Sequence, residues 1–338
     1  MYQTHGFYVS PVALPLEEGG LLGGARVAWC AYGERSEDNV VVLLHDLPHS
    51  HHVLRTSGQD AVPHSGWGSE LLGEGRPLDP AALHVVVPNL LGSPFGSTSP
   101  VAVDPHVGQP YGAALPTVTV LDMARAVAAL LRSMKVERVR AVVGVGLGGM
   151  VALRLAALFA ERVAGVAVLG AARALPESLR ERLGLTRHLL RLDPHFRDGH
   201  YAPGAGPRRT LRKQVLEYLR LVHGPGGEAP DTVQALEAEA QALADTFDAN
   251  AWALLCTAYA GADLTECLAE VRAPVLLAAA ANDSLAPPAR VRDTYHLLSA
   301  AGIRAHYHEL PEPCSHQGLL AGNRRLHGPL RDFLRRRG

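Results

Sequence analysis

The residues best suited to chemistry in this chain are a glycine-rich turn, an aspartate and a histidine, met in that order. The turn, Gly144-Val-Gly-Leu-Gly-Gly149, separates the apolar run Val139–Gly144 from a helical pattern over Val151–Phe159. Its residues support two readings. Gly144, Gly146 and Gly149 have the G-x-G-x-x-G spacing that lets a backbone approach a pyrophosphate at a helix N-terminus. That use needs an acid at the end of the next strand to hold a ribose hydroxyl. Here the next strand ends at Leu169-Gly-Ala-Ala-Arg173, without one, and the match sits mid-chain rather than in the first βαβ unit. The second reading is a nucleophile elbow, G-x-S-x-G, flanked by Gly144 and Gly148. The reactive position is then Gly146, which has no side chain. In such a triad the acid and the base follow the nucleophile along the chain. Asp283 follows the run Val275–Ala280, and His316 follows Ala305–Leu310. Alone, the aspartate is a turn cap and the histidine is one of 17. Together, their order and placement past strand ends point to the elbow.

Such groups need strands to deliver them. Short β-branched runs recur at Arg26–Ala31, Val40–Leu44, His84–Val87, Val139–Gly144, Val163–Leu169, Val275–Ala280 and Ala305–Leu310. Runs apolar on both faces read as buried strands of a mostly parallel sheet. Between them one helix is clear: Thr119 and Asp122 make a capping-box start, and Val120, Met123, Val127, Leu130, Leu131 and Met134 share a face. The fold expected is α/β, a mostly parallel doubly wound sheet. From about residue 176 to 270 the strand signal gives way to helical patterns over Leu211–Val222, Thr232–Phe247 and Ala249–Tyr259. This predicts a core of residues 1–175 and 271–338, with a helical lid of residues 176–270 over the strand ends, where open α/β sheets bind ligands.

Composition narrows the function. Of the chain's 338 residues, 47% are apolar and 19% charged, which suits a globular core, and a net charge of −1 gives no field to attract nucleic acid or a membrane surface. The C-terminal arginines, Arg324 through Arg337, read as the solvated face of a last helix. Four scattered cysteines (Cys30, Cys256, Cys267, Cys314) show no framework, and the first ten residues show no secretory pattern, so a cytoplasmic protein is expected. His45 and the run His49-Ser-His-His52 invite a metal reading. No acid or cysteine completes a ligand spacing, so no metal is expected. Trp67 reads as packing beneath the site.

With these residues in view, the chain resembles the homoserine O-acetyltransferases over nearly its whole length. The matching segments include His45-Asp-Leu47, Gly66-Trp67, Gly73-Glu-Gly-Arg-Pro-Leu-Asp79, Pro88-Asn-Leu-Leu-Gly92, Gly96-Ser-Thr98 and Pro110-Tyr-Gly112. Thr119–Met123, Gly148-Gly-Met150, Asp193-Pro194, Phe247-Asp-Ala-Asn250 and Asp283 with Pro287-Pro288 continue the match. The resemblance implies an α/β-hydrolase fold and a two-step transfer. An elbow serine, activated by a histidine and an aspartate, takes acetyl from acetyl-CoA and passes it to the homoserine hydroxyl. It assigns the acid to Asp283, the base to His316 and the oxyanion hole to the backbone N–H groups of Leu47 and Leu147. No cofactor is implied; acetyl-CoA would be a substrate.

Against that pattern the chain departs at Gly146, where the nucleophile is missing. It departs at Gln317, where an aspartate for the substrate amine would follow the base, and near Val215 and Val222, where an arginine and a tyrosine are usual. Asp46 and His49 replace smaller or neutral residues. Loss of a triad nucleophile typically lowers turnover on the order of 10⁶-fold. Ser97 and Cys314 lie on loops expected near the site, but even about 1 Å of misplacement is costly, so neither is expected to substitute. Three functions follow: a non-catalytic or weakened paralogue that binds a ligand in the lid cleft; an enzyme in which His316 and Asp283 act directly on water or substrate; or ordinary acetyl transfer through an unrecognised nucleophile. The departures favour the first. A homodimer through the lid helices, or pairing with an active relative, is the expected assembly.

Overall fold

The computed structural model describes residues 2–55, 65–202, 204–224, 230–320 and 324–335. Arg336 and Arg337 of the terminal arginine cluster, Pro203 and most of the Gly224–Pro230 linker lie outside them. The strands are β1 (Gln3–Val9), β2 (Leu14–Pro15), β3 (Leu21–Leu22), β4 (Arg26–Tyr32), β5 (Val40–Leu44), β6 (His84–Pro88), β7 (Ala141–Val145), β8 (Val166–Leu169), β9 (Val275–Ala280) and β10 (Ala305–Leu310). Eight of them form one sheet in the order β1-β4-β6-β5-β7-β8-β9-β10. From β6 to β10 all neighbours are parallel, while β4 runs antiparallel to both β1 and β6. The buried central strands are the continuous apolar runs, as a doubly covered sheet requires. Val139 and Val163, expected as strand starts, instead pair with each other in an isolated bridge. Of the main sheet's strands the one not anticipated is β1, and the short pair β2 and β3 was not anticipated either. β1 lies at the sheet edge and alternates exposed with half-buried residues, so it never makes an apolar run.

The helices are α1 (Val120–Ser133), α2 (Leu147–Leu158), α3 (Glu177–Gly184), α4 (Thr186–Arg191), α5 (Arg208–His223), α6 (Pro230–Thr246), α7 (Ala249–Gly261), α8 (Pro288–Ala300) and α9 (Arg324–Arg335). One apolar cluster joins α1, α2 and α8 to one sheet face and continues into the helices between β8 and β9. A second, on the opposite face, takes Leu326, Leu330, Phe333 and Leu334 of α9. Five helices, α3 to α7, fill the stretch between β8 and β9, and residues of α5 and α6 roof the cavity at the strand ends. Among the described residues, no helix is long and apolar enough to cross a membrane.

The capping box at α1 has both of its bonds. The Thr119 hydroxyl accepts from the Asp122 N–H, and the Asp122 carboxylate accepts from the Thr119 N–H at 3.1 Å. Asp122 also accepts from the Glu17 N–H at 2.9 Å, tying the chain's first turn region to the sheet's main helix. Asp122→Ala removes the cap and orphans the Glu17 N–H. It should cost about 2 kcal/mol, seen as a lower urea midpoint at unchanged slope.

Candidate active site

β7 enters the site at its C-terminal end. It feeds α2 through Gly146, whose φ of 52° and ψ of −120° lie in a region that side chains rarely adopt. The flanking glycines are required by contact: a Cβ on Gly144 would meet the Gly148 carbonyl oxygen at 2.1 Å. Loops after β9 and β10 bring in the next two groups. Asp283 Oδ1 accepts from the N–H groups of Leu285 and Ala286, each at 2.8 Å, which aims Oδ2 at His316 Nδ1, also 2.8 Å away. His316 packs over Gly170, at the end of β8. The structure thus brings Asp283, His316 and the Gly146 turn to one place.

A fourth group joins them, and it changes the chemistry. Asp46, just past β5, turns its carboxylate into the space beside Gly146. Oδ1 accepts the Leu147 N–H at 2.8 Å. Oδ2 accepts the Tyr218 hydroxyl of α5 at 2.7 Å and lies 3.6 Å from His316 Nε2, an ionic contact too long for a direct hydrogen bond. A Cβ added at Gly146 would stand 2.1 Å from Asp46 Oδ1. A side chain at position 146 therefore requires the Asp46 carboxylate to move out of its present place. It also occupies the amide that the resemblance assigns to the oxyanion hole. The other assigned donor, Leu47, is fully buried next to it.

The electrostatics follow from this packing. Burial by itself would disfavour the charged form of His316, but Asp283 on one side and Asp46 on the other outweigh it and push the imidazole up to about 10. Burial would likewise raise Asp46; His316, His49 and the Leu147 N–H outweigh it and hold the carboxylate down at about 2. The charge of Asp46 and the contact with Asp283 thus both favour the protonated form of His316. An imidazolium has no lone pair to accept a proton, so His316 in this state is an acid and not a base.

The surroundings fix Asp46 in place. His45 is buried and donates from Nδ1 to the Asp46 carbonyl at 2.8 Å, while its Nε2 accepts the Leu90 N–H at 3.0 Å. Burial pushes it down to about 4, so it is a neutral brace. Asp46 and His316 open onto a cavity of about 500 Å³. Gln317 and Val222 line it, as do Trp67 and His49, whose rings stack at 5.3 Å. Trp67 donates to the Ser50 carbonyl at 2.8 Å, so it both packs beneath the site and forms part of its wall. Val215 is fully buried in the core and does not line the cavity. Ser97 is spent on the backbone, donating to the Asn89 carbonyl and accepting from the Ala28 N–H, and neither it nor Cys314 lines the cavity.

Sequence reasoning missed Tyr218 and Tyr259. Tyr218 continues the stripe Leu211, Val215, Val222 at helical spacing, which was the available signal. The Tyr259 hydroxyl is buried without a hydrogen-bond partner among the described residues, and the charges of Asp46 and Asp283 raise its affinity for its proton beyond the effect of burial.

Comparison with known proteins agrees with this architecture. Residues 39–321 match the α/β-hydrolase fold family. The chain is 31% identical to the L-serine/homoserine O-acetyltransferase of Streptomyces lavendulae, over 97% of this chain and 96% of that one. The chain belongs to the α/β-hydrolase-fold homoserine and serine O-acyltransferases. It is also 32% identical to a homoserine O-succinyltransferase of Burkholderia mallei, over 96% of this chain and 94% of that one. In fold it superposes on the homoserine O-acetyltransferase of Bacillus anthracis with a TM-score of 0.89 at 20% identity, covering 100% of this chain and 99% of that one. A mutant of esterase E22 superposes with a TM-score of 0.88 at 22% identity, covering 99% of this chain and 100% of that one.

The ionic centre makes a prediction about protonation. Nitrogen-detected NMR should find both ring N–H groups of His316 present at pH 8. A raised folded-state value means that its stabilisation is complete below its ordinary value of 6.5 and is lost as pH rises through about 10. Asp46, with a depressed value, contributes fully above 3.8 and loses its contribution as pH falls through about 2. The melting-temperature gap between wild type and His316→Gln should therefore be widest between pH 4 and 6.5 and narrow towards pH 10. A constant gap would remove the imidazolium.

Proposed function

We propose that this chain is a non-acylating member of its family, in which the Asp46 carboxylate stands where an elbow hydroxyl would lie. One observation carries this reading: the same carboxylate oxygen that overlaps any Cβ at position 146 also accepts the Leu147 N–H. In acyl transfer the serine oxygen attacks a carbonyl and the amide stabilises the resulting oxyanion. Here an anion fills both places before substrate arrives. Gly146 supplies no nucleophile, and the two carboxylates beside His316 favour its protonated form, which weakens it as a base. As a non-acylating member, the protein would act by holding a small ligand in the cleft or by pairing with an active relative.

Direct action of the His316–Asp283 pair on water or substrate is the second reading. It draws on the buried His316 Nε2, which has no hydrogen-bond partner among the described residues. The imidazolium charge counts against it, because the step needs a free base.

Incubation with acetyl-labelled acetyl-CoA, with and without homoserine, separates the readings. We expect neither labelled protein nor labelled product. Product without labelled protein supports the second reading, and a stoichiometric acetyl-protein overturns both. A further test concerns the paired positions. Gly146→Ser alone should lose about 2 kcal/mol or more, since its side chain lands on Asp46 in strained backbone. Asp46→Ala with Gly146→Ser should lose less than the sum of the single changes, by about 1 kcal/mol or more, in chemical denaturation. Additive losses would show that the two positions are not coupled.

A further inference from the structure

Beyond the cleft, the fold assembles a cluster that sequence spacing did not reveal. The Cys30 thiol of β4 meets His51 and His52 of the loop after β5, and one ligand atom from each lies within 4.8 Å of the others. Sequence spacing alone offered those histidines no third ligand; the antiparallel insertion of β4 beside β6 supplies it. We propose that Cys30, His51 and His52 form a site for a borderline divalent ion of the Zn²⁺ type, independent of the acylation reading.

The donor set suits that ion. One thiolate and two neutral imidazoles are the usual ligands of tetrahedral zinc, with bonds of about 2.0–2.3 Å. Those bonds put ligand atoms roughly 3.3–3.6 Å apart, so closing on an ion asks each group to move by about 1 Å at most. Cys30 is 1% exposed and His51 7% exposed, yet the His51 Nδ1 has no hydrogen-bond partner among the described residues. Buried polar atoms are rarely left unmet, and a metal would satisfy this one. The rings of His51 and His52 sit 4.0 Å apart. Burial keeps both below their ordinary protonation range, helped at His51 by the charges of His52 and His45 and at His52 by that of His5, which leaves lone pairs free to coordinate. Burial also pushes the Cys30 thiol up to about 11, so the metal must displace its proton to the buffer. On the solvent side, His5 stands directly opposite Cys30 in the β1–β4 register and is exposed. Facing partners in an antiparallel pair share a sheet face, so His5 stands on the face of the cluster, while the three converging ligand atoms are those of Cys30, His51 and His52. A bound ion would clamp β4 to the loop that carries Asp46, His49 and Trp67.

Titration calorimetry of chelator-treated protein with Zn²⁺, in buffers of different ionisation enthalpy, tests the site. One ion per chain and release of about one proton are expected. Cys30→Ser and His51→Gln should each weaken binding by at least about 100-fold, beyond the loss typical of outer-shell changes. Co²⁺ should give a thiolate charge-transfer band in wild type that Cys30→Ser abolishes. Urea midpoints of the metal-free variants identify any that fail by unfolding, and His52→Gln then serves in their place. Absence of stoichiometric binding, or affinity unchanged in Cys30→Ser and His51→Gln, overturns the proposal.

Discussion

Two buried carboxylates share one imidazolium, and the arrangement of the cleft depends on that interaction. Removing an isolated charge from water costs several kcal/mol, so Asp46, Asp283 and His316 are tolerable only together. Asp283 is met by two backbone N–H groups and His316, while Asp46 is met by the Leu147 N–H, the Tyr218 hydroxyl and the same histidine. Each partner comes from a different part of the chain: the ends of β5, β9 and β10, the start of α2 and the middle of α5. The ion cluster therefore pins the inserted helices to the sheet, and the position of α5 over the strand ends is part of its electrostatics.

Glycine at position 146 and aspartate at position 46 form one structural unit. The backbone there is left-handed, which glycine accepts without steric cost, and the vacated volume is not empty but filled by the carboxylate. His45 braces that carboxylate from behind through its neighbour's carbonyl. A cavity would have been the simple result of losing a side chain. Instead the carboxylate is hydrogen-bonded on the sheet side, and the open volume lies toward His49, Trp67 and Gln317.

Much of this was legible in the sequence, for identifiable reasons. The buried strands announce themselves as apolar runs because both faces are covered, and α1 announces its start through Thr119 and Asp122. β1 does not, since an edge strand alternates weakly and holds Gly6 and His5. Order along the chain was enough to bring Asp283 and His316 to the glycine turn. The direction of the Asp46 side chain was not readable, because it depends on a turn after β5 and on a tyrosine from a helix 172 residues away. Val215 illustrates the same limit: a loosely matched helix register assigned it to the cleft, while the structure buries it in the core. Cys30 met His51 and His52 only through sheet topology, which no spacing rule contains.

The overlap between residue 146 and Asp46 also bears on the history of this lineage. On the proposed reading, an ancestor with a hydroxyl at the elbow had no room for the present carboxylate, and the present carboxylate leaves no room for a hydroxyl. Glycine had to come first, or together with the acid. With the acid in place, a hydroxyl-bearing side chain at position 146 meets the Asp46 carboxylate. On that same reading the pair acts as a ratchet, because restoring a hydroxyl at position 146 also requires the acid at position 46 to give way.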